Sequence, residues 1–363
     1  MSDRPTPTAR VRAITIGYQG MGNTGDEAIL SGIERVLAQT RVRIETVVAG
    51  PQAVPAAREA TRLPMPRWLP SLDLLRAFRR SDLLIIAGGG LVNDYWRTLI
   101  PRYLLLTGMA RLLGCRVAWV GVGAGPIRRH FWRWLTRRLV AVSNLFAVRD
   151  EGSLTTIRRI TDAPQVRLAP DPAWFNVAPA GVEPTDGLGI VLRGPAPRDE
   201  RDAEPLFDAI AEVMADHAAA GTRATLVTMQ ADADRAAISA IRQRLEPRGL
   251  TVELVRLPLE ATAAIGRLAR FEAVISVRLH GLVLASLAGR PCLPLVYDPK
   301  VAAAANQLGL GEIALPIAGA TADRIEGALR EVTSEAVQRT VRERVREITA
   351  RRSEIAAAIE SVL

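Results

Sequence analysis

The segment Ser276-Val277-Arg278-Leu279-His280-Gly281 sets a guanidinium and an imidazole two residues apart, where a short apolar run gives way to a helical pattern. Arginine's planar fork takes carboxylate or phosphate in bidentate fashion, and imidazole is the side chain that titrates near neutral pH. Such a pair suits proton transfer beside an anion. In an extended segment, alternation would put Arg278 and His280 on one side of the chain. Further along, Tyr297-Asp298-Pro299-Lys300 delivers an ammonium at the end of another apolar run. The chain has 47 Lys and Arg residues, and Lys300 is the one lysine among them, a compact point charge at a position where arginine was not substituted. Arg149, in Ala147-Val148-Arg149-Asp150, closes an apolar run in the first half. Two guanidiniums, one ammonium and one imidazole fit an anion bearing both phosphate and carboxylate. Each alone is an ordinary salt-bridge partner; their common place at strand ends is what supports the joint reading.

A second constellation lies in GYQGMGNTGDEAIL, Gly17 to Leu30. Gly20, Gly22 and Gly25 formally match the dinucleotide pattern, but Asp26 and Glu27 follow at once, where a pyrophosphate would need the positive end of a helix. Thr24 and Glu27 have the spacing of a capping box, which predicts that Thr24 accepts from a first-turn amide while Glu27 reaches back. Asp26 is then the spare carboxylate. With Asn23 it suits hydrogen bonds to neutral hydroxyls such as those of a sugar, and it equally suits the dipole of the helix it begins.

These residues need a scaffold that gathers strand ends. RAITIGY, RIETVVAG, DLLIIAGGG, RVAWVGVGAG, NLFAVRD and VRLAPDPAWF read as strands, with amphipathic helical segments between them. The linker-like VAPAGVEPTDG follows. The alternation then restarts with GIVLRG, RATLVTMQ, TVELVRL, AVISVRLHG and PCLPLVYD. This predicts an α/β protein of two doubly wound, Rossmann-like parallel sheets, residues 1–178 and 187–330, with closing helices over 331–363. In such sheets ligands sit outside the carboxyl ends of strands, where all the residues above fall.

Composition narrows the function classes. With 48% apolar and 23% charged residues the chain is ordinary for a globular protein, and no apolar run approaches the roughly 18 residues of a spanning helix. The opening MSDRPTPTAR lacks the apolar core of a signal peptide, so a cytoplasmic location is expected. Cys115 and Cys292 are far apart and read as buried thiols; the three histidines are scattered, and no metal is expected. A formal charge of +9 favours anionic ligands or an acidic membrane face; nucleic acid is the weakest option, because aromatics are only 4% and do not interleave with basic runs. GPIRRHFWRWLTRRLV sets arginines 128, 129, 133, 137 and 138 around Phe131, Trp132 and Trp134. It reads either as a surface helix with a buried stripe or as one lying on an anionic bilayer, where lipid-linked substrates reside.

Taken in order, GYQGMGNTGDEAIL, the strand ending in Gly88-Gly89-Gly90 with Asn93-Asp94 behind it, GVGAGPI, VRDEGS, APDPAW, VRLHGLVLA and YDPKVAAAANQLGL resemble the polysaccharide pyruvyl transferase family over nearly the whole chain. The resemblance implies a glycosyltransferase-B-like fold. It also implies transfer of pyruvate from phosphoenolpyruvate to two hydroxyls of one sugar in a bacterial cell-surface polysaccharide or its lipid-linked precursor, giving a cyclic ketal and phosphate. Arg149, Arg278, His280 and Lys300 would occupy donor-site positions, with His280 and Arg278 catalytic and Asn23 and Asp26 orienting the acceptor. Phosphoenolpyruvate would be a co-substrate, with no cofactor, and peripheral contact with the inner membrane face would be compatible with a lipid-linked acceptor. Two departures stand out: APDPAW replaces a commoner ADPAF-like form, and QADADRAA replaces a His/Phe-containing segment near the expected sugar site. The alternatives are a nucleotide-sugar glycosyltransferase of the same architecture and a non-catalytic sugar-binding subunit of envelope assembly.

Overall fold

A computed structural model of the chain describes residues 10–66, 69–194 and 200–363. The amino-terminal stretch read above for a leader falls almost entirely outside them. The first sheet contains β1 (Val11–Ile16), β2 (Val42–Ala49), β3 (Thr61–Pro64), β4 (Leu83–Ala87), β5 (Arg116–Val122), β6 (Leu145–Val148) and β7 (Val166–Leu168). Its order is β3-β2-β1-β4-β5-β6-β7 with parallel pairing throughout. The second contains β8 (Leu188–Val191), β9 (Ala224–Thr228), β10 (Leu254–Arg256), β11 (Ala273–Ser276), β12 (Cys292–Val296) and β13 (Leu315–Pro316). It is also parallel, in the order β10-β9-β8-β11-β12-β13. The fold is thus two parallel-sheet α/β domains with helices at the carboxyl end.

Continuous apolar runs make these strands because helices cover both faces of a parallel sheet. Leu83 to Ala87 is buried at every position, and so is Ala273 to Ser276. In the first sheet Trp119 is the centre of the core, with its ring centroid 5.4 Å from Tyr103 and 5.2 Å from Phe146. Several expected strands are shorter than their apolar runs. Of VRLAPDPAWF only Val166–Leu168 is strand, and Pro172–Phe175 forms a 3-10 turn, because Asp171 accepts from the Ala173 amide and closes the chain on itself. The short strands β3 and β13 carry no apolar run long enough to announce them.

By contacts the chain divides into two units. One comprises Met1–Met21, Ile29–Phe175 and Arg351–Leu363; the other comprises Gly22–Ala28 and Asn176–Ala350. The glycine-rich turn around Asn23 therefore groups with the second sheet, within which the Asn176 side-chain amide donates to the Ala28 carbonyl at 2.8 Å. The final helices are Ala322–Val332, Glu335–Ala350 and Arg352–Glu360.

The irregular linker ends at a buried carboxylate. Asp186, just before β8, accepts from Arg270 at 3.1 Å and from Thr185 at 2.8 Å, and also pairs with Arg267. The Arg270 bond, with help from Thr185 and Arg267 and against the effect of burial, lowers its carboxyl pKa to about 2. A depressed carboxyl contributes stability above the ordinary Asp range and loses it as pH falls toward the folded value. Asp186→Asn is expected to cost the second unit about 2 kcal/mol at neutral pH, with the gap to wild type closing as pH falls below about 4. Urea unfolding across that range checks this; a gap constant down to pH ~2 contradicts it.

Candidate functional site

The second sheet runs outward from β8 in one direction through β9 and β10, and from β11 in the other through β12 and β13. The reversal falls between β8 and β11, so the crevice for a ligand lies at their carboxyl ends. Arg193 follows β8, Arg278 and His280 follow β11, and Tyr297 and Lys300 follow β12. Three neighbouring strands thus bring four of the chain's basic side chains to one sheet edge.

Asp234 organises this edge. Fully buried in the helix Ala231–Leu245, one of its oxygens accepts from the Thr228 hydroxyl at 2.8 Å and from the Met229 and Gln230 amides, each at 3.0 Å. The other oxygen pairs with the Arg278 guanidinium, whose Nε donates to the Leu192 carbonyl at 3.2 Å. One carboxylate therefore fixes the turn after β9 and, through Arg278, connects the ends of β8 and β11. Met229 extends the connection: its carbonyl accepts from the Thr24 amide at 3.0 Å and from the Thr24 hydroxyl at 3.3 Å.

That bond corrects the capping box. With the Thr24 hydroxyl given to Met229, the helix Thr24–Leu37 is capped by Asn23, whose side-chain oxygen accepts from the Gly25 amide at 3.1 Å and whose carbonyl accepts from the Asp26 and Glu27 amides. The Asn23 amide also donates to Asp26. Asn23 and Asp26, the two expected acceptor-site residues, are thus in contact with each other. Gly25 lies against His280: a Cβ there would overlap the imidazole, 2.7 Å from its Cγ and 2.9 Å from its Cβ. A glycine is required because the ring occupies the space a side chain would need.

Arg278 and His280 do not share one side of an extended segment, as alternation predicted. The strand ends at Ser276 and a helix begins at Leu279, with Arg278, in extended backbone, as its N-cap residue. The Ser276 hydroxyl receives the Arg278 amide at 3.2 Å and donates to its carbonyl at 2.8 Å, which fixes this turn. The consequence is a division of labour: Arg278 faces Asp234 while His280 faces the Gly25 turn.

Lys300 is the second residue of the helix Pro299–Gln307, where the Asp298 carboxylate accepts its amide at 3.1 Å and proline fits the first helical position. Its Nζ lies 5.2 Å from the centroid of the Tyr297 ring, and the Arg193 guanidinium carbon lies 4.3 Å from the same centroid. Burial pushes the Tyr297 phenol up, but Lys300 and Arg193 more than offset this and hold it below the ordinary tyrosine value. Arg193, Tyr297 and Asp234 are the residues that sequence reasoning missed. Arg193 had a signal, being the residue where the run GIVL ends, and Asp234 sat in the very segment that departs from the family pattern.

Arg149 belongs to the first unit, with the carboxyl edge of its own sheet. It is buried, with Nη1 3.1 Å from Asp171 and Nε 3.5 Å from Asp150. Gly123 leaves room for it, since a Cβ there would come within 2.9 Å of the guanidinium. Asp150 also caps the helix Glu151–Arg158 through the Ser153 amide at 2.7 Å. Both cysteines are buried; burial first, then Asp82, pushes the Cys115 thiol up to about 12, and burial alone pushes Cys292 up further. Neither is a nucleophile at neutral pH.

A family model described as polysaccharide pyruvyl transferase matches residues 23–299. The chain belongs to that family. No curated protein is similar enough in sequence to match it. Among solved structures it is similar in fold to the UDP-GlcNAc 2-epimerase of Neisseria meningitidis bound to UDP-GlcNAc, at 11% identity and a TM-score of 0.61 over 97% of this chain and 100% of that one. The UDP-GlcNAc 2-epimerase of Methanocaldococcus jannaschii matches at 12% identity and 0.57 over 93% and 99%, and a glycosyltransferase of Rickettsia africae at 8% and 0.57 over 98% and 97%. The architecture is therefore that of GT-B glycosyltransferases and epimerases, and the chain is a transferase of polysaccharide biosynthesis by family.

Removing one member of a buried charge pair leaves the other uncompensated. Asp234→Ala is therefore expected to destabilise the second unit by about 3 kcal/mol or more, and Asp234→Asn by less, because the amide keeps an oxygen for Thr228 and the two backbone donors. Denaturant unfolding of the three proteins checks this, and an unshifted midpoint for Asp234→Ala contradicts it.

Proposed function

We propose that this pyruvyl transferase takes phosphoenolpyruvate as donor and bridges two hydroxyls of one sugar in a cell-surface glycan or its precursor, releasing phosphate. The observation that carries the reading is the row of cations at the ends of β8, β11 and β12, with the sole lysine of the chain stacked beside Arg193 on Tyr297. A donor with a phosphate and a carboxylate on the same carbon needs several positive groups at short range, and a rigid edge supplies them without reorganisation.

The chemistry follows from the donor. A proton adds to the methylene carbon of the enol, and the adjacent carbon becomes cationic. One sugar hydroxyl attacks it and loses its proton, giving a ketal that still bears phosphate. The C–O bond to phosphate then breaks, the second hydroxyl attacks the same carbon, and its proton leaves. One proton enters the new methyl group and two leave the hydroxyls, so the balance lies with the departing phosphate.

In this reading His280 moves protons at the reacting carbon and hydroxyl, since imidazole can give and take them near neutral pH. Lys300 and Arg278 hold the donor's anionic groups, and Lys300 places a compact charge on the leaving phosphate. Asn23 and Asp26 orient the acceptor, the Asn23 bond presenting Asp26 in a fixed pose. The reaction uses no cofactor, and it is placed in the cytoplasm, where the donor is made.

The test begins with ligand binding, because it needs no acceptor. A ligand at 100 times its dissociation constant adds about 2.7 kcal/mol of stability, enough to raise the melting temperature by several degrees. Phosphoenolpyruvate is expected to produce such a shift in wild type and in His280→Ala, and a much smaller one in Lys300→Ala and Arg278→Ala. A shift with nucleotide sugars but none with phosphoenolpyruvate would overturn the donor assignment. His280→Ala is further expected to lose ketal formation by a factor of at least about 100, on the usual worth of a positioned acid-base group. Near-normal turnover in that variant would remove His280 from the mechanism.

A further inference from the structure

We propose that the first unit docks on an anionic phospholipid surface through Trp96, Phe131 and Trp134, ringed by Arg97, Arg128, Arg129 and Arg138. The three rings are 66%, 60% and 51% exposed, in a unit whose core buries Trp119, Tyr103 and Phe146 completely. Phe131 and Trp134 stack on the outer face of the helix His130–Ala141, with centroids 6.2 Å apart, while Trp132, Leu135, Leu139 and Val140 form its buried stripe. The helix therefore has the apolar side chains it needs for packing, and the outer rings are additional. The turn carrying Trp96 is fastened to the entry of this helix, since the Asp94 carboxylate accepts the Arg128 amide at 2.6 Å and the Asp94 amide donates to the Pro126 carbonyl at 3.1 Å.

Charge decides the occupant. No aspartate or glutamate occurs from Pro126 to Asn144, and the Asp94 carboxylate accepts the Arg128 amide. Arg133 and Arg137 donate to the Arg159 and Ile160 carbonyls and belong to the fold. Arg128 and Arg129 are exposed at the start of the helix, and Arg138 lies over the Trp134 ring at 5.5 Å. Indole and phenyl groups flanked by arginine are the side chains that settle at the boundary between headgroups and acyl chains, where the ring is solvated by lipid and the guanidinium by phosphate. No helix among the described residues is long and apolar enough to cross a membrane, so the association is peripheral. Such docking would suit an acceptor carried on a lipid, and that extension rests on the transfer reading above; the docking itself does not.

The test is flotation of the full chain with vesicles of phosphatidylcholine alone or of phosphatidylcholine and phosphatidylglycerol in equal parts. The protein is expected to float with the anionic vesicles only. Phe131→Ser/Trp134→Ser and Arg128→Glu/Arg129→Glu/Arg138→Glu should each weaken that binding by roughly tenfold or more, and high salt should release the wild type. Both variants touch exposed side chains, so their melting temperatures and their shift with phosphoenolpyruvate should match wild type. That separates a failure of docking from a failure of the donor assignment. Absence of flotation, equal flotation with neutral vesicles, or variants that float as wild type does would each overturn the proposal.

Discussion

A buried carboxylate can keep its charge only if donors surround it, and Asp234 meets that requirement by fastening together the parts of a site. Two amides and a hydroxyl from the end of β9 use one oxygen, and the guanidinium of Arg278 uses the other. Because Arg278 also reaches the Leu192 carbonyl, and Met229 also receives Thr24, a single negative group connects three strand ends and the Thr24 turn within the second unit. The positive edge beside it is then stable, since Arg278 has its counter-charge below the edge and the other cations stand on an aromatic ring.

Lys300 joins that edge through the Tyr297 ring. An ammonium and a guanidinium share one ring, with Lys300 Nζ 5.2 Å and the Arg193 guanidinium carbon 4.3 Å from its centroid. Burial pushes the Tyr297 phenol up, and the joint effect of Lys300 and Arg193 is visible in its being held below the ordinary tyrosine value all the same. In the proposed reading, a donor with two anionic groups would meet both of these cations at short range. His280 is held close to a glycine that cannot be enlarged, which fixes the imidazole against the Gly25 turn.

The parallel sheets were legible because both faces of each strand are covered, which turns strands such as Leu83 to Ala87 into unbroken apolar runs. Strand-end residues 149, 278, 280 and 300 were legible for the same reason: a polar group that ends such a run must lie at the sheet edge. The partners of those residues were not. Asp234 meets Arg278 across 44 positions of sequence, and the Gly25 turn meets His280 across far more, and no local pattern encodes a contact of that kind. The capping box failed on the same point. Thr24 had the right spacing, but a tertiary acceptor, the Met229 carbonyl, took its hydroxyl and left the cap to Asn23. The small strands β3 and β13, four and two residues long, have too few side chains to show a period.

The central claim is that the carbon skeleton of phosphoenolpyruvate ends on the sugar. The most direct measurement is carbon NMR of phosphoenolpyruvate labelled at its central carbon, incubated with the enzyme and with surface glycan from cells lacking it. The account predicts that the label moves into the glycan as a carbon bonded to two sugar oxygens and a new methyl group, with one phosphate released for each ketal formed. Label that stays in phosphoenolpyruvate while a nucleotide sugar is consumed and a nucleoside diphosphate appears would contradict it.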